Sequence, residues 1–297
     1  MSIRASLRRA LVRQARTLEP IGHQRRVVTA GVAVLIAWGS AAPVAAHRPD
    51  QMGRQVAANL GNVESGSIGY DISFPNCNGS FPDRGDFRIV GVNGGRAFDP
   101  NPCLGAGDGP SELQWAGRYA WFYANTGNPG PRLSKRWPVG QRYPRRCMAD
   151  DPLSKGCAYD YGWNAAKDSY RTAVRAYISL GWAPAGSTRT PVHNRWWLDV
   201  ETSNSWRPNR HLNVANLQGA VAFLESRDVA SIGFYSIPRM WEAIVGSSDA
   251  FAQHPSWMAG ASTLRGAERH CGTIGFNGGR VALSQFPKKG FDANVAC

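Results

Sequence analysis

The chain reads as an α/β protein built on a parallel sheet with helices outside it, and three observations predict this. Short apolar or aromatic runs bounded by Gly, Pro, Asn or Ser alternate with helical patterns, and from 195 to 246 the order is strand–helix–strand. The run Trp196-Trp197-Leu198-Asp199-Val200-Glu201 is apolar on the face of Leu198 and Val200, which fits a parallel strand covered by helices. Setting aside the first 46 of 297 residues leaves 251, a length that suits one α/β barrel or two small domains.

In chain order, residues 1–46 read as a targeting segment. Arg4, Arg8, Arg9, Arg13, Arg16, Arg25 and Arg26 make a basic start, Val27 to Ala42 is apolar, and Val44-Ala45-Ala46 is a small-residue cleavage site. The apolar stretch is short for a membrane span and ends at Pro43, so a cleaved signal peptide is expected rather than a membrane anchor. The Arg25-Arg26 pair leaves a twin-arginine export route open. Residues 47–66 are polar and Gly-rich, a flexible lead-in to a domain spanning 67–297. Strands are expected at Ile68–Phe74, Phe87–Asn93, Tyr119–Asn125, Arg195–Glu201 and Ala230–Ser236, with weaker ones at Ser256–Ala261 and Arg280–Phe286. Ala166, Tyr170, Ala173, Val174, Tyr177 and Ile178 mark one helix face within 163–181, and Val214, Leu217, Val221 and Leu224 mark another within 212–227. Gly- and Pro-rich stretches at 99–111 and 125–162 read as long loops. Asn93-Gly94-Gly95-Arg96 recurs at 277–280, where Asn277-Gly278 is a hairpin-turn signal; neither copy is assigned chemistry.

Charge and cysteines narrow the function classes. Lys+Arg number 34 and Asp+Glu 21, giving +13; seven of the cations and one of the acids lie in residues 1–46, so the remainder carries +7. Such a surface favours anionic partners, but the charge is dispersed apart from Arg142, Arg145 and Arg146, with no basic stripe interleaved with aromatics, so nucleic acid is not an expected partner. Cys77, Cys103, Cys147, Cys157, Cys271 and Cys297 are an even set behind a signal peptide, which reads as three disulfides in a secreted protein, extracellular or wall-associated. Six cysteines allow fifteen pairings; closeness along the chain favours 77–103, 147–157 and 271–297. None has C-x-x-C spacing, so no metal site is expected, and no cofactor. A monomer is expected.

The chemistry is expected among carboxylates at strand ends. Asp199 and Glu201 share a strand face with Trp197, their side chains roughly 6–7 Å apart at a rise of ~3.3 Å per residue. Two carboxyls brought close in a partly apolar setting do not ionise equally easily, which is the raw material of an acid/base pair. Asp71 lies near the end of the first strand, and Asp292 is read as following the last. If the sheet closes into a barrel, these four converge at the C-terminal ends of the strands. Trp197, Trp206, Tyr235 and Trp257 sit at comparable positions, where flat rings could stack on sugar faces. His193 precedes its strand and therefore belongs to the opposite end.

These segments together resemble glycoside hydrolase family 25, the lysozyme-like barrels. Ile68-Gly69-Tyr70-Asp71-Ile72-Ser73 resembles the family's opening G-x-D-V-S strand, and Trp197-Leu198-Asp199-Val200-Glu201 its L-D-x-E strand. Ile232-Gly233-Phe234-Tyr235-Ser236, Pro255-Ser256-Trp257-Met258-Ala259, and Ser284-Gln285-Phe286 with Phe291-Asp292-Ala293-Asn294 follow in the family's order. The resemblance covers most of 68–295 and implies a divergent, secreted actinobacterial-type member with an irregular (β/α)8 TIM-like barrel. It implies cleavage of β-1,4 links in peptidoglycan, with a cell-wall glycan as partner. It casts Glu201 as general acid, Asp199 as orienting the N-acetyl group or stabilising the positive sugar centre, and Asp71 and Asp292 as shaping the subsite. So close a pair departs from the usual scheme of carboxylates flanking the sugar, so the acetamido group, Asp71 or Asp292 would have to assist. Alternative readings are a non-catalytic wall-binding barrel and a hydrolase of another amino-sugar polymer. Val92-Asn93-Gly94-Gly95, Trp121-Phe122-Tyr123-Ala124-Asn125 and the insert 126–162 depart from the family pattern.

Overall fold

The computed structural model describes residues 63–77, 81–83 and 85–297; the expected signal peptide and most of the lead-in lie outside them. Eight strands close into a barrel in sequence order: β1 (Ile68–Ile72), β2 (Arg88–Gly91), β3 (Trp121–Asn125), β4 (Arg195–Asp199), β5 (Ser231–Ser236), β6 (Ser256–Met258), β7 (Val281–Lys288) and β8 (Phe291–Ala296). Neighbours from β1 to β7 pair in parallel, whereas β8 runs antiparallel to both β7 and β1. The fold is thus an irregular (β/α)8-type barrel, closed by a hairpin instead of a last helical crossover.

Five α-helices accompany the strands among the described residues: α1 (Glu112–Ala116), α2 (Lys155–Ser179), α3 (Arg210–Glu225), α4 (Pro238–Ile244) and α5 (Leu264–Glu268). Local sequence starts them. Ser111, Ser154, Asn209 and Thr263 each accept a backbone N–H of the first turn, and Pro238 opens α4, where its missing N–H is harmless. The stretch 125–162, expected to be loop throughout, contains the first two turns of α2. Gly156 and Gly162 account for the misreading, since glycine ordinarily weakens a helix. Here Gly162 is where the backbone of α3 comes close: a Cβ on it would collide with the Asn216 carbonyl, and one on Gly219 with the Tyr159 carbonyl. The Asn216 amide bridges the same contact, donating to the Ala158 carbonyl at 3.2 Å.

Alternation along the strands sorts two cores. Trp196 and Leu198 join Tyr70, Ile72, Phe122, Phe234 and Val295 in the layer that meets Tyr170, Tyr177, Leu217 and Phe223 of the helices. Trp197 faces the other way, into a cluster with Phe87, Ile89, Trp121, Trp257 and Leu283 that fills the barrel. Val63 packs on that inner cluster, and the Gly66 N–H donates to the Ala296 carbonyl at 2.9 Å, so residues 63–66 run against the barrel.

The disulfides are Cys77–Cys103, Cys147–Cys157 and Cys271–Cys297. Among the described residues no helix is long and apolar enough to cross a membrane. Two sequence expectations change. No strand was expected after Phe286; β7 runs on to Lys288 and turns at Lys289 and Gly290, with φ of 55° and 80°, into β8. Two successive positive φ values are those of a type I′ turn, whose twist suits a hairpin. And β4 ends at Asp199, so Glu201 stands in the turn beyond it rather than in the strand.

Candidate active site

The antiparallel β8 is what brings Asp292 into play. Because it runs against the others, its first residues lie level with the C-terminal ends of the parallel strands, and Asp292 pairs with Asp71 across the β1–β8 ladder. Asp71, Asp199, Glu201 and Asp292 line one cavity of about 200 Å³, together with Tyr123, Tyr235, Trp257 and Phe74. Four acids scattered over more than two hundred residues thus share the end of the barrel at which such folds place their chemistry.

Asp71 is held by two side-chain amides: Oδ1 accepts from Gln285 Nε2 at 3.1 Å and from Asn294 Nδ2 at 2.7 Å. Each amide is oriented in turn. The Trp257 indole, a donor only, gives its proton to Asn294 Oδ1 at 2.7 Å, and the Tyr235 hydroxyl donates to Gln285 Oε1 at 3.0 Å. Burial, with the Asp292 charge beside it, pushes Asp71 up to about 7 against the pull of those amides.

Asp199 is 3 % exposed. Its Oδ2 accepts from the Asn125 side-chain amide, and its Oδ1 has no partner among the described residues. Asn125 is fixed by Asn93, whose amide donates to the Asn125 carbonyl at 2.9 Å while its Oδ1 accepts the Asn125 N–H at 3.0 Å. Burial raises Asp199 well above the carboxylate range, and the Glu201 and Asp71 charges add to it. Burial also raises Glu201, eased by the Ser203 hydroxyl, and burial raises Asp292. Both members of the pair therefore hold a proton more tightly than an exposed carboxyl does. Tyr123 and Tyr235 are pushed up by burial and nearby acids, so their hydroxyls stay protonated donors.

The backbone that carries the pair is tied at each carbonyl. The Asp199 carbonyl accepts from Thr126 Oγ1 at 2.5 Å, the Val200 carbonyl from Ser236 Oγ at 2.7 Å, and the Glu201 carbonyl from Trp206 Nε1 at 2.8 Å. Although Glu201 lies beyond β4, these three bonds hold its backbone in place.

The four expected aromatics divide. Tyr235 and Trp257 line the cavity, Trp257 as a buried floor. Trp197 does not: it lies one inward step deeper, edge-on to Trp257 at 5.7 Å. Trp206 does not either; it is partly buried and serves the Glu201 carbonyl. Sequence reasoning gave no role to Tyr123, Asn125, Gln285 or Asn294. The inward alternation of β3, β7 and β8 would have placed them, but neutral side chains alone give no chemical signal. His193 contacts the Asp228 carbonyl and is not among the residues that line the cavity. Among the described residues the one close grouping of three potential metal-binding side chains is Cys77, Cys103 and Glu112, whose two sulfurs are joined as a disulfide.

Fold and site together define a closed barrel of seven parallel strands and one antiparallel strand, with an acid-lined cavity at the C-terminal mouth of the parallel strands. No family model matches the chain, and no curated protein does. Among solved structures it is similar to a muramidase from Trichobolus zukalii, at 17% identity over 77% of this chain and 93% of that one, TM-score 0.44. It is similar to a bacterial lysozyme from Streptomyces coelicolor, at 14% identity over 78% and 92%, TM-score 0.41. A third similarity is to the Clostridium perfringens spore cortex lytic enzyme, at 13% identity over 78% and 67%, TM-score 0.46. At these identities and scores the likeness adds nothing to what the barrel itself shows.

Proposed function

We propose that the chain is a secreted glycoside hydrolase that cleaves β-1,4 links in an amino-sugar chain of the peptidoglycan type, with Glu201 as general acid. The observation that carries this reading is the gathering of Asp71, Asp199, Glu201 and Asp292 around one cavity, where burial raises the proton affinity of each. The ordered strand motifs that resemble the lysozyme-like family support the substrate class. Three disulfides, with every cysteine of the chain paired, support an oxidising compartment.

Roles follow from position. Glu201, the more open of the coupled pair, gives its proton to the glycosidic oxygen as the bond from that oxygen to the anomeric carbon breaks. The substrate's own acetamido oxygen closes on the anomeric carbon and bears the positive charge, while Asp199, buried and held by Asn125, accepts the acetamido N–H. Water then opens that ring and returns a proton to Glu201, so the net change is addition of one water. Proton donation of this kind is worth ~10²–10⁴-fold.

The test is release of reducing ends from purified cell-wall glycan by the wild type and by Glu201→Gln. The expected result is a drop of at least about 10²-fold in the variant, with unchanged folding by circular dichroism. No release by the wild type, or full activity in the variant, overturns the reading. Binding to walls without release would assign the cavity to recognition instead.

A further inference from the structure

A cavity of about 460 Å³ on the outer wall of the barrel is lined by Lys167, Arg171 and Arg175 of α2 and by Arg227 just beyond α3, and by no acid. It shares no lining residue with the acid-lined cavity. The helix α2 leads back from the mouth toward the start of β4, and Arg227 comes shortly before β5. The cavity therefore lies toward the end of the barrel opposite the mouth. We propose that it binds a linear phosphodiester polymer with small uncharged units between its phosphates, a poly(polyol phosphate), and that the four cations hold successive phosphates. The proposal does not depend on the hydrolase reading.

Spacing is the first argument. Lys167, Arg171 and Arg175 follow one another at intervals of four residues, so they form one ridge along α2 with ~6 Å of rise between neighbours. Phosphates linked through small units match such a row, whereas acidic sugars separated by neutral ones set their charges further apart. Along the sequence these cations look dispersed; the turn of α2 and its packing against α3 gather them.

Availability is the second argument. None of the four joins Arg189–Asp228 or Arg210–Glu242, the salt bridges found among the described residues. Asp168 and Glu225 of the same helices do not line the cavity, and Asp228 is engaged by Arg189 at 2.8 Å. Arg171 and Arg175 are exposed, and Arg175 donates one N–H to Thr172 Oγ1 at 2.8 Å. The Arg227 guanidinium lies 5.0 Å from the centre of the Phe223 ring, and its Nε is buried with no partner among the described residues. Positive charge gathered without counter-charge raises the local concentration of anions. Three of the four cations are arginines, whose planar fork matches a phosphate through paired N–H bonds.

The floor decides between polymers. Tyr170 and Phe223 line it, but each is only 2% exposed, and they meet edge-on at 6.0 Å. No ring face there is open for a base to stack on, which single-stranded nucleic acid requires. Ser187 and Thr188 on the adjoining loop offer hydroxyls to a hydroxyl-bearing backbone.

The test is titration of the full chain with labelled synthetic poly(glycerol phosphate), beside polyglutamate and a single-stranded oligonucleotide of equal charge. The poly(glycerol phosphate) is expected to bind most tightly, with log K falling against log salt at a slope of about −2 to −3 for three or four phosphates held. Combining Lys167→Gln, Arg171→Gln and Arg175→Gln should weaken it at least about tenfold and flatten the slope by about 2. Arg227→Gln alone should weaken it in the same sense, and decides the matter if the triple variant fails to fold. Arg142→Gln, Arg146→Gln and Arg265→Gln together, an equal loss of charge elsewhere, should change little. The site is overturned if the polymer does not bind, if polyglutamate or the oligonucleotide binds as tightly, or if both triple variants lose affinity alike. Failure of the wild type to cleave wall glycan, with polymer binding through these cations intact, would overturn the hydrolase reading and leave this site standing.

Discussion

Glu201 and Asp199 differ in how much water reaches them, and that difference sets the direction of a kinetic prediction. Each member of the pair raises the other's affinity for the proton, because two negative charges so close are unfavourable. Asp199→Asn removes one of those charges. The alkaline limb of kcat/KM against pH should then move to lower pH as Glu201 gives up its proton more readily, while kcat falls. An unmoved limb would show that Asp199 does not act on Glu201 electrostatically. A second residue makes a prediction about stability. Glu112 is buried and pushed up to about 7, chiefly by burial and against a 2.6 Å hydrogen bond from the Asn101 amide. The folded state therefore holds a proton that the unfolded chain releases near 4.5, so stability falls as pH rises from about 4.5 to about 7 and stays low beyond. Glu112→Gln keeps an acceptor for Asn101 and has no charge to bury. Its thermal midpoint should match the wild type at pH 4 and exceed it at pH 8. The acids of the cavity were legible in the sequence because charge at strand ends is a signal. Depth was not: alternation tells that Trp197 and Asp199 face the same way, and only the closed barrel shows that Trp197 lies below the cavity.

Between helices the informative feature is the pair of glycines at which α2 and α3 touch. Alanine normally improves a helix by up to ~1 kcal/mol over glycine. Here each added methyl would meet a backbone carbonyl of the other helix, which cannot rotate away. The packing penalty wins, because overpacking costs about 1–3 kcal/mol, so Gly219→Ala should lower stability by roughly 2 kcal/mol, read as the shift in denaturant midpoint. A neutral or stabilising result would mean that the helices can separate at little cost. The same contact explains why the apolar face from Ala166 to Ile178 was readable as helix while its first two turns were not. Intrinsic propensity argues against glycine, and the tertiary contact that requires it is invisible in one sequence. The last strand was missed for a related reason. Lys289-Gly290 lacks the Asn or Asp that usually announces a two-residue hairpin, whereas Asn277-Gly278, which has it, closes only an isolated bridge between Ile274 and Arg280.

Over the whole molecule two of the three disulfides play different parts. Cys271–Cys297 fastens the end of β8, the strand that closes the barrel and carries Asp292 and Asn294, across a separation of 26 residues. Loop-closure entropy assigns such a link about 3.5 kcal/mol. Cys147–Cys157 spans only 10 residues and joins the insert to the start of α2, where the same reasoning gives about 2.7 kcal/mol. By that measure the two should differ little. By position they differ greatly, because α2 keeps its packing against α3 without the shorter link, while the insert, whose Pro129, Leu133 and Tyr161 line a second cavity, loses a fixed point. Replacing Cys271 and Cys297 by serine should therefore lower the thermal midpoint and reduce hydrolysis together, since barrel closure and acid geometry fail as one. Replacing Cys147 and Cys157 should lower the midpoint less and act mainly on KM for the glycan, with kcat nearly kept. Equal losses of kcat in both double variants would mean that the insert is part of the barrel's own stability rather than a wall added beside its cavity.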